Sequence, residues 1–302
     1  MSTAISLVPE KRPRSAFAKL MESEAKTAWR IPIGLIGGVA IPILLVVIFG
    51  SVPGMNHAEA KLGGLTYFDV YFPIIIVISV AILALVSLPT HLASYREQGI
   101  LRRLSTTPVP PSWMLAAQLV MNLALAAVAL GTVVVVGTTA YSLGVPKQLG
   151  GFVLAVVLTV AAMFAIGLWV SAFARSAAVA NGLGQLILYP LLFFAGLWIP
   201  REQMTPVLRN IGDWTPLGAA VKALQTSMQG TFPSATSLLV MAGWAVVFGF
   251  LAVRFVRWEQ QPPVVIAAVR GGGQGVVARP PAACGAPRDR AGMYRHQACS
   301  QP

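Results

Sequence analysis

Six long apolar segments constrain this chain of 302 residues more than any other feature. A helix crosses a bilayer with about 20 mostly apolar residues, within a usual range of about 17 to 25. Segments one, three, four and five contain no Asp, Glu, Lys or Arg. The segments run from Ile31 to Gly50, Val70 to Leu88, Trp113 to Gly137, Gly151 to Phe173, Gly182 to Ile199 and Ser237 to Val253. These lengths predict an all-α integral membrane protein with six transmembrane helices.

The composition argues against a soluble fold of the same length. Apolar residues make up 56% of the chain and charged residues only 11%, whereas a soluble globular chain carries roughly 25% charged residues. A large soluble helical core is the alternative, but its helices would need polar faces that these segments lack. Lipid is the environment that suits such surfaces.

The basic residues predict the orientation in the membrane. The chain has 22 Lys and Arg against 10 Asp and Glu, a net charge of +12. With both termini cytoplasmic, 17 of the basic residues lie on the cytoplasmic side and 5 on the other. Because cytoplasmic loops carry the excess of Lys and Arg, we expect an N-in, C-in topology. The net charge is then a topology signal rather than a surface that binds nucleic acid.

The two ends of the chain lie outside the predicted membrane domain, residues 31–258. Residues 1–30 are cytoplasmic, and their stretch 13–30 mixes apolar and charged residues as an amphipathic interface helix does. A plain basic topology signal is the alternative to this helix. The first span could instead be a cleaved signal peptide, but a charged leader of 30 residues and an apolar run of 20 residues are both too long for one. Residues 259–302 contain 6 Pro and 6 Gly, so we expect a disordered cytoplasmic tail without an assigned function.

Two segments between the spans are longer than simple turns require. Residues 91–112 combine basic and apolar residues and end in three prolines that bar further helix. This mixture suits either lipid headgroups or a groove in a protein. Residues 200–233, on the outer side, contain two helix starts, Thr205-Pro206 and Thr215-Pro216. They predict two short amphipathic helices in the outer interface, a re-entrant segment that forms either a pathway mouth or a structural cap.

The chain lacks residues that would drive transport by themselves. No lysine follows a glycine, so a phosphate-binding P-loop is absent from the sequence, as are GxSxG, HExxH and CxxC. Asp69, at the outer end of span two, is the one candidate for an intramembrane charge, and an interfacial role is favoured for it. Energy for transport would therefore have to come from outside the chain.

Two amide pairs are the polar groups inside the spans. Gln118 and Asn122, and then Asn181 and Gln185, are each spaced i, i+4 and share a helix face. Hydrogen bonds between helices, worth about 1 kcal/mol each, are one interpretation. Contact with a transported molecule is the other.

Two motifs carry a family resemblance. The first is REQGILRRLSTTPV, residues 96–109, and the second is FAGLWIP, residues 194–200, followed by WTPL, residues 214–217. The first motif is similar to the cytoplasmic loop, and the second to the exit from span five, of the ABC-2 type transporter permeases, in particular the daunorubicin-resistance-like drug exporters. The resemblance covers residues from about 13 to 258. Pro73-Ile74, where many members have Pro-Gly, and the long tail depart from it.

The resemblance implies a permease subunit that dimerises, as a homodimer or heterodimer, and binds a separate ABC ATPase. Such a chain is not itself an enzyme and holds no cofactor, since ATP and Mg²⁺ belong to the partner. The loop would dock in the ATPase through Arg96, Glu97, Gly99, Leu101, Arg102, Arg103 and Pro108. The predicted translocation path or gate comprises Gln118, Asn122, Asn181, Gln185, Gly196, Pro200 and Pro216.

The implied activity is export of an amphipathic or hydrophobic, drug-like compound across the cell membrane of a bacterium. Other branches of the family export lipid-linked glycans or polysaccharides. A proton-coupled exporter, a membrane enzyme and a scaffold subunit are the alternatives from other classes.

Overall fold

The described part of the chain is built from α-helices. The structure, a computed structural model, describes residues 21–22, 26, 36–52, 66–99, 111–141 and 146–255. All of them belong to the first of two units, Met1–Trp258 and Glu259–Pro302. The helices are α1 (Gly37–Ser51), α2 (Tyr67–Glu97), α3 (Pro111–Ala140), α4 (Leu149–Phe173), α5 (Ala177–Ala195), α6 (Pro206–Trp214), α7 (Pro216–Gln229) and α8 (Ala235–Phe255).

Among the described residues, five helices are long and apolar enough to cross a membrane: α2, α3, α4, α5 and α8. They correspond to predicted spans two to six. The first predicted span contains α1, a shorter apolar helix, and its beginning lies outside the described residues. Six spans and the N-in, C-in topology therefore stay predictions. The same holds for the tail and for the interface helix, of which Met21, Glu22 and Lys26 are described and helical.

Helix α2 lies at the centre of the bundle. It packs against α1, α3, α4, α5 and α7, and side chains along it, such as Ile74 and Leu85, are fully buried. The apolar run predicted an end at Leu88, but the helix continues to Glu97. Residues 89–97 contain no helix-breaking glycine, and Leu92 and Ala93 are buried against neighbouring helices. Tertiary packing thus extends the helix past the apolar run.

A π-helical turn, Leu83–Ser87, interrupts α2 where its backbone comes closest to α4 and α5. Pro89 cannot donate a hydrogen bond to the carbonyl group four residues earlier, that of Leu85. A Cβ atom added to Gly184 of α5 would collide with this carbonyl oxygen, and one added to Gly167 of α4 would collide with that of Ala84. Glycines therefore let the three backbones approach closely, as small residues do between membrane helices.

The N-terminus of α2 is closed by a capping box. The Asp69 backbone N–H donates to the Thr66 hydroxyl oxygen at 3.0 Å, and the Thr66 backbone N–H donates to the Asp69 carboxylate at 3.2 Å. The Thr66 hydroxyl also donates to this carboxylate, at 2.7 Å. An acidic side chain in the first turn also suits the helix dipole. Asp69 thus caps α2, and its position at the membrane interface stays a prediction.

The two helices predicted between spans five and six are present as α6 and α7. Helix α6 is amphipathic, and its Val207 and Trp214 are exposed. Helix α7 differs from the prediction of an interfacial helix, because Leu217, Val221 and Leu224 are fully buried among α2, α4, α5 and α8. Its alternation of large residues with Ala219, Ala220 and Ala223 makes it narrow enough to enter the bundle. An irregular segment between spans is covered by protein in this way.

Candidate functional site

The predicted coupling segment begins at the end of α2. Arg96 and Glu97 form its last turn, and Gly99 follows with a left-handed φ of +63°. The Gly99 backbone N–H donates to the Arg96 carbonyl oxygen at 3.1 Å. A left-handed glycine is the usual way to end a helix and redirect the chain. The other predicted docking residues, Leu101, Arg102, Arg103 and Pro108, lie outside the described residues.

Arg96 contacts the protein's own membrane domain. Its Nη1 atom donates to the Ser171 carbonyl oxygen at 2.7 Å, in the last turn of α4. The last carbonyl groups of a helix lack partners within the helix, and a cation there also interacts favourably with the helix dipole. Arg96 therefore links the start of the coupling segment to span four. The sequence did not indicate this contact, because 75 positions separate the two residues.

The first amide pair lies on the buried face of α3. Gln118 and Asn122 are 5% and 2% exposed, and the Asn122 Nδ2 atom donates to the Gln118 backbone carbonyl at 2.9 Å. Their side-chain oxygens, Gln118 Oε1 and Asn122 Oδ1, are buried without a hydrogen-bond partner. The shared face is confirmed, but among the described residues neither oxygen accepts a hydrogen bond from a neighbouring helix.

The second amide pair lies on α5 and is half-buried. Gln185 Nε2 donates to Asn181 Oδ1 at 2.9 Å, so these two amides satisfy each other in part. Within the described residues no hydrogen bond joins this pair to the pair on α3. The predicted path residues are therefore distributed over separate helices rather than gathered in one pocket.

The remaining predicted path residues lie between α5 and α7 or at the ends of these helices. Gly196 ends α5 with a φ of +98°, and its backbone N–H donates to the carbonyl groups of Leu192 and Phe193. Pro200 precedes a short 3₁₀ turn, Arg201–Gln203, and Pro216 is the first residue of α7. Thr215 caps α7 by accepting from the Gly218 backbone N–H at 3.1 Å. These residues set the course of the chain from α5 to α7.

A charged cluster that the sequence did not indicate lies between the end of α5, α6 and α7. Asp213 accepts from Arg201 Nη2 through Oδ1 and from Lys222 Nζ through Oδ2, the latter at 2.6 Å. Arg201 is only 4% exposed and also donates to the Phe194 carbonyl oxygen at 3.2 Å. These contacts join the end of α5 to α6 and α7. Only the presence of charges of both signs within residues 200–233 could have indicated the cluster.

An apolar cavity of about 340 Å³ lies between α2, α3 and α4. Its lining includes Ile76, Leu130, Val134, Phe152 and Val156. None of the predicted path residues lines it. Such a cavity suits an apolar group and offers no polar atom that would orient one.

Comparison with known proteins identifies relatives over most of the chain. The family model described as "ABC-2 type transporter" matches residues 15–228. The daunorubicin resistance ABC transporter permease protein DrrB1 of Streptomyces coeruleorubidus is 28% identical over 261 residues, which cover 81% of this chain and 89% of that protein. The putative transport permease YvfS of Bacillus subtilis (strain 168) is 20% identical over 240 residues, covering 79% and 96%.

The family match includes α1 to α6, most of α7 and both motifs on which the resemblance was based. Members of this family are the multi-pass membrane subunits of ABC transporters; they are not themselves catalytic, and in general they dimerise and associate with an ABC ATPase. The chain, with its five long apolar helices and its two matching motifs, belongs to the ABC-2 type transporter family.

Proposed function

We propose that this chain is the permease subunit of an ATP-driven exporter in the cell membrane of a bacterium. Two copies, or one copy and a related chain, would form the path, and two separate ATPase subunits would bind ATP and Mg²⁺. The exported compound is amphipathic or hydrophobic. The observation that carries this proposal is the match of most of the chain to a permease named for daunorubicin resistance.

The distribution of basic residues supports an orientation in which residues 91–112 face the ATPase. The basic residues concentrate on the side that carries residues 91–112, which would face the cytoplasm and the ATPase. The left-handed Gly99 directs the chain away from α2 at the point where the resemblance places the docking loop. An ATPase that pushes this loop would act first on the end of α2.

Contacts of the described residues offer a route from that loop to the outer side. Arg96 joins the end of α2 to the end of α4. At the opposite end of α4, the Gln148 backbone N–H donates to the Ser227 carbonyl oxygen of α7 at 3.1 Å. Helix α4, with 25 residues and a length of about 37 Å, would thus connect the docking loop with the outer helix α7.

The test is reconstitution of the permease with the ATPase encoded in the neighbouring reading frame. We expect ATP-dependent export in vesicles, and we expect Glu97→Ala, Gly99→Pro and the pair Arg102→Ala/Arg103→Ala to uncouple ATP hydrolysis from export. Arg209→Ala, at an exposed position of α6, is the control that removes a charge elsewhere. Full export by the three loop variants would contradict the proposed coupling. Transport driven by a proton gradient without the ATPase would contradict the proposed class of exporter.

A further inference from the structure

Three buried polar atoms on α2 and α3 have no hydrogen-bond partner. They are Ser87 Oγ, Gln118 Oε1 and Asn122 Oδ1. Buried polar groups in proteins are nearly always hydrogen-bonded, so each exception calls for an explanation. A fourth such atom, Gln225 Nε2, is a donor on α7, whereas these three can all accept and lie on two helices that pack together.

The register of the two helices brings Ser87 and Asn122 to one level and Gln118 within one helical turn of them. Helices α2 and α3 are antiparallel neighbours: both Tyr67–Ile82 and Leu83–Ser87 pack against α3, and Phe68, near the start of α2, lies with its ring 5.5 Å from that of Tyr141, just after the end of α3. Ser87 follows Phe68 by 19 residues, and Asn122 precedes Tyr141 by 19 residues. At 1.5 Å per residue, both lie about 28 Å from the aromatic contact. Gln118 is one turn further along the same face of α3.

The chemistry of the three atoms defines what they can bind. Amide oxygens only accept hydrogen bonds, and a serine hydroxyl can accept as well. The one amide hydrogen bond here, from Asn122 Nδ2 to the Gln118 carbonyl, uses the nitrogen and leaves the oxygen unsatisfied. A ligand group with N–H or O–H donors would satisfy all three acceptors.

The depth of the site in the bilayer indicates which class of ligand can reach it. The hydrocarbon core of a bilayer is about 30 Å thick, so a site about 28 Å from the aromatic residues at one end lies near the opposite boundary. With the N-terminus in the cytoplasm, that is the inner boundary. An amphipathic molecule in the inner leaflet keeps its polar group at this depth.

We propose that Ser87, Gln118 and Asn122 form a closed binding site for the hydrogen-bond donor group of the exported compound. This inference rests on the proposed function, because it takes the exported compound as the ligand. The described conformation is the closed one, in which the three atoms are inaccessible. Separation of α2 from α3 near the inner boundary would open the site to a compound that arrives from the inner leaflet.

Two related dyes test the site in the purified, full-length permease without any ATPase. Rhodamine 6G is an amphipathic cation whose two amino groups carry N–H donors. Rhodamine B ethyl ester has the same ring system and charge, but its nitrogens are fully alkylated and carry no donor. The measurements are the Kd of each dye, by fluorescence titration, and the midpoint of thermal unfolding.

We expect Asn122→Leu and Gln118→Leu each to weaken the binding of rhodamine 6G by about 3- to 10-fold, the effect of one lost hydrogen bond. The Kd of rhodamine B ethyl ester should stay the same, and the unfolding midpoint should stay the same or rise. If a leucine variant does not fold, Ser87→Ala can take its place, because it is the smallest change and should also weaken the binding of rhodamine 6G. Gln225→Leu, which removes a half-buried amide on α7, is the matched control and should leave both Kd values unchanged.

Several outcomes would overturn the site. These are an unchanged Kd for rhodamine 6G in the variants, an equal weakening of the binding of both dyes, and no binding of rhodamine 6G to the unmodified permease. A lower unfolding midpoint with unchanged dye binding would mean that the three atoms hold a structural water instead. Failure of ATP-driven export in vesicles would contradict the proposed function, whereas a preserved difference between the dyes would still support the site.

Discussion

The charged cluster around Asp213 gives the sharpest prediction from the structure. Arg201 is 4% exposed and Lys222 is 39% exposed, although both bind the same carboxylate. Removing one partner of a buried ion pair costs about 3 to 5 kcal/mol, because it leaves an uncompensated buried charge. Removing an exposed partner costs about 0 to 1 kcal/mol. The same carboxylate therefore makes two contacts of very different energetic value.

We expect Asp213→Ala to lower the free energy of unfolding by about 3 kcal/mol. The lower end of the range applies because Arg201 keeps its hydrogen bond to the Phe194 carbonyl oxygen and because Asp213 is itself 24% exposed. Lys222→Met should cost less than about 1 kcal/mol. A double variant, Arg201→Met with Asp213→Leu, should recover much of the loss, since apolar residues can replace a buried ion pair.

The assay is thermal unfolding of the purified permease in detergent. At about 2 °C per kcal/mol or more, Asp213→Ala should lower the unfolding midpoint by about 6 °C, and Lys222→Met by about 2 °C or less. Equal losses in the two variants would refute the argument from burial. A midpoint of Asp213→Ala within about 1 °C of the unmodified protein would refute the assignment of Arg201 as a buried, paired charge.

Three further perturbations test the contacts of α2 and α4. Arg96→Ala should lower the free energy of unfolding by about 1.5 to 3 kcal/mol, the value of a charged hydrogen bond, while pull-down of the ATPase persists; lost pull-down at unchanged stability would make Arg96 a docking residue instead. Gly167→Ala should lower the free energy of unfolding by about 1 to 3 kcal/mol, measured by thermal unfolding, because the added Cβ would meet the Ala84 carbonyl. Gly243→Ala, at a position with open space around it, is the control and should be neutral or stabilising. Asp69→Ala should cost about 1 kcal/mol by the same measurement through loss of the capping box, and an unchanged midpoint would contradict that role.

Local features of this protein were predictable from the sequence for a local reason. A helix start or end depends on a few neighbouring residues, so Thr215-Pro216 predicted the beginning of α7 and Gly196 stands at the end of α5. The length of an apolar run is also a local property, and it predicted spans two to six. In the same way, the sequence predicted that each amide pair would share one helix face.

Contacts between distant residues could not be predicted in this way. Arg96 and Ser171 meet only because α2 and α4 end at the same level of the bundle. The pairing of Arg201 with Asp213 depends on how the chain turns after α5. Nothing in the spacing of these charges indicates which of them is buried.

By itself, the sequence determined the membrane class of this protein, the existence of its helices and the resemblance that led to its family. Only the tertiary structure decided that α2 is the centre of the bundle, that α7 is buried rather than interfacial, and that three acceptors on α2 and α3 are left unpaired. The physical reason is that hydropathy and turn residues act over a few positions along the chain. Burial and pairing depend instead on which faces of separate helices meet.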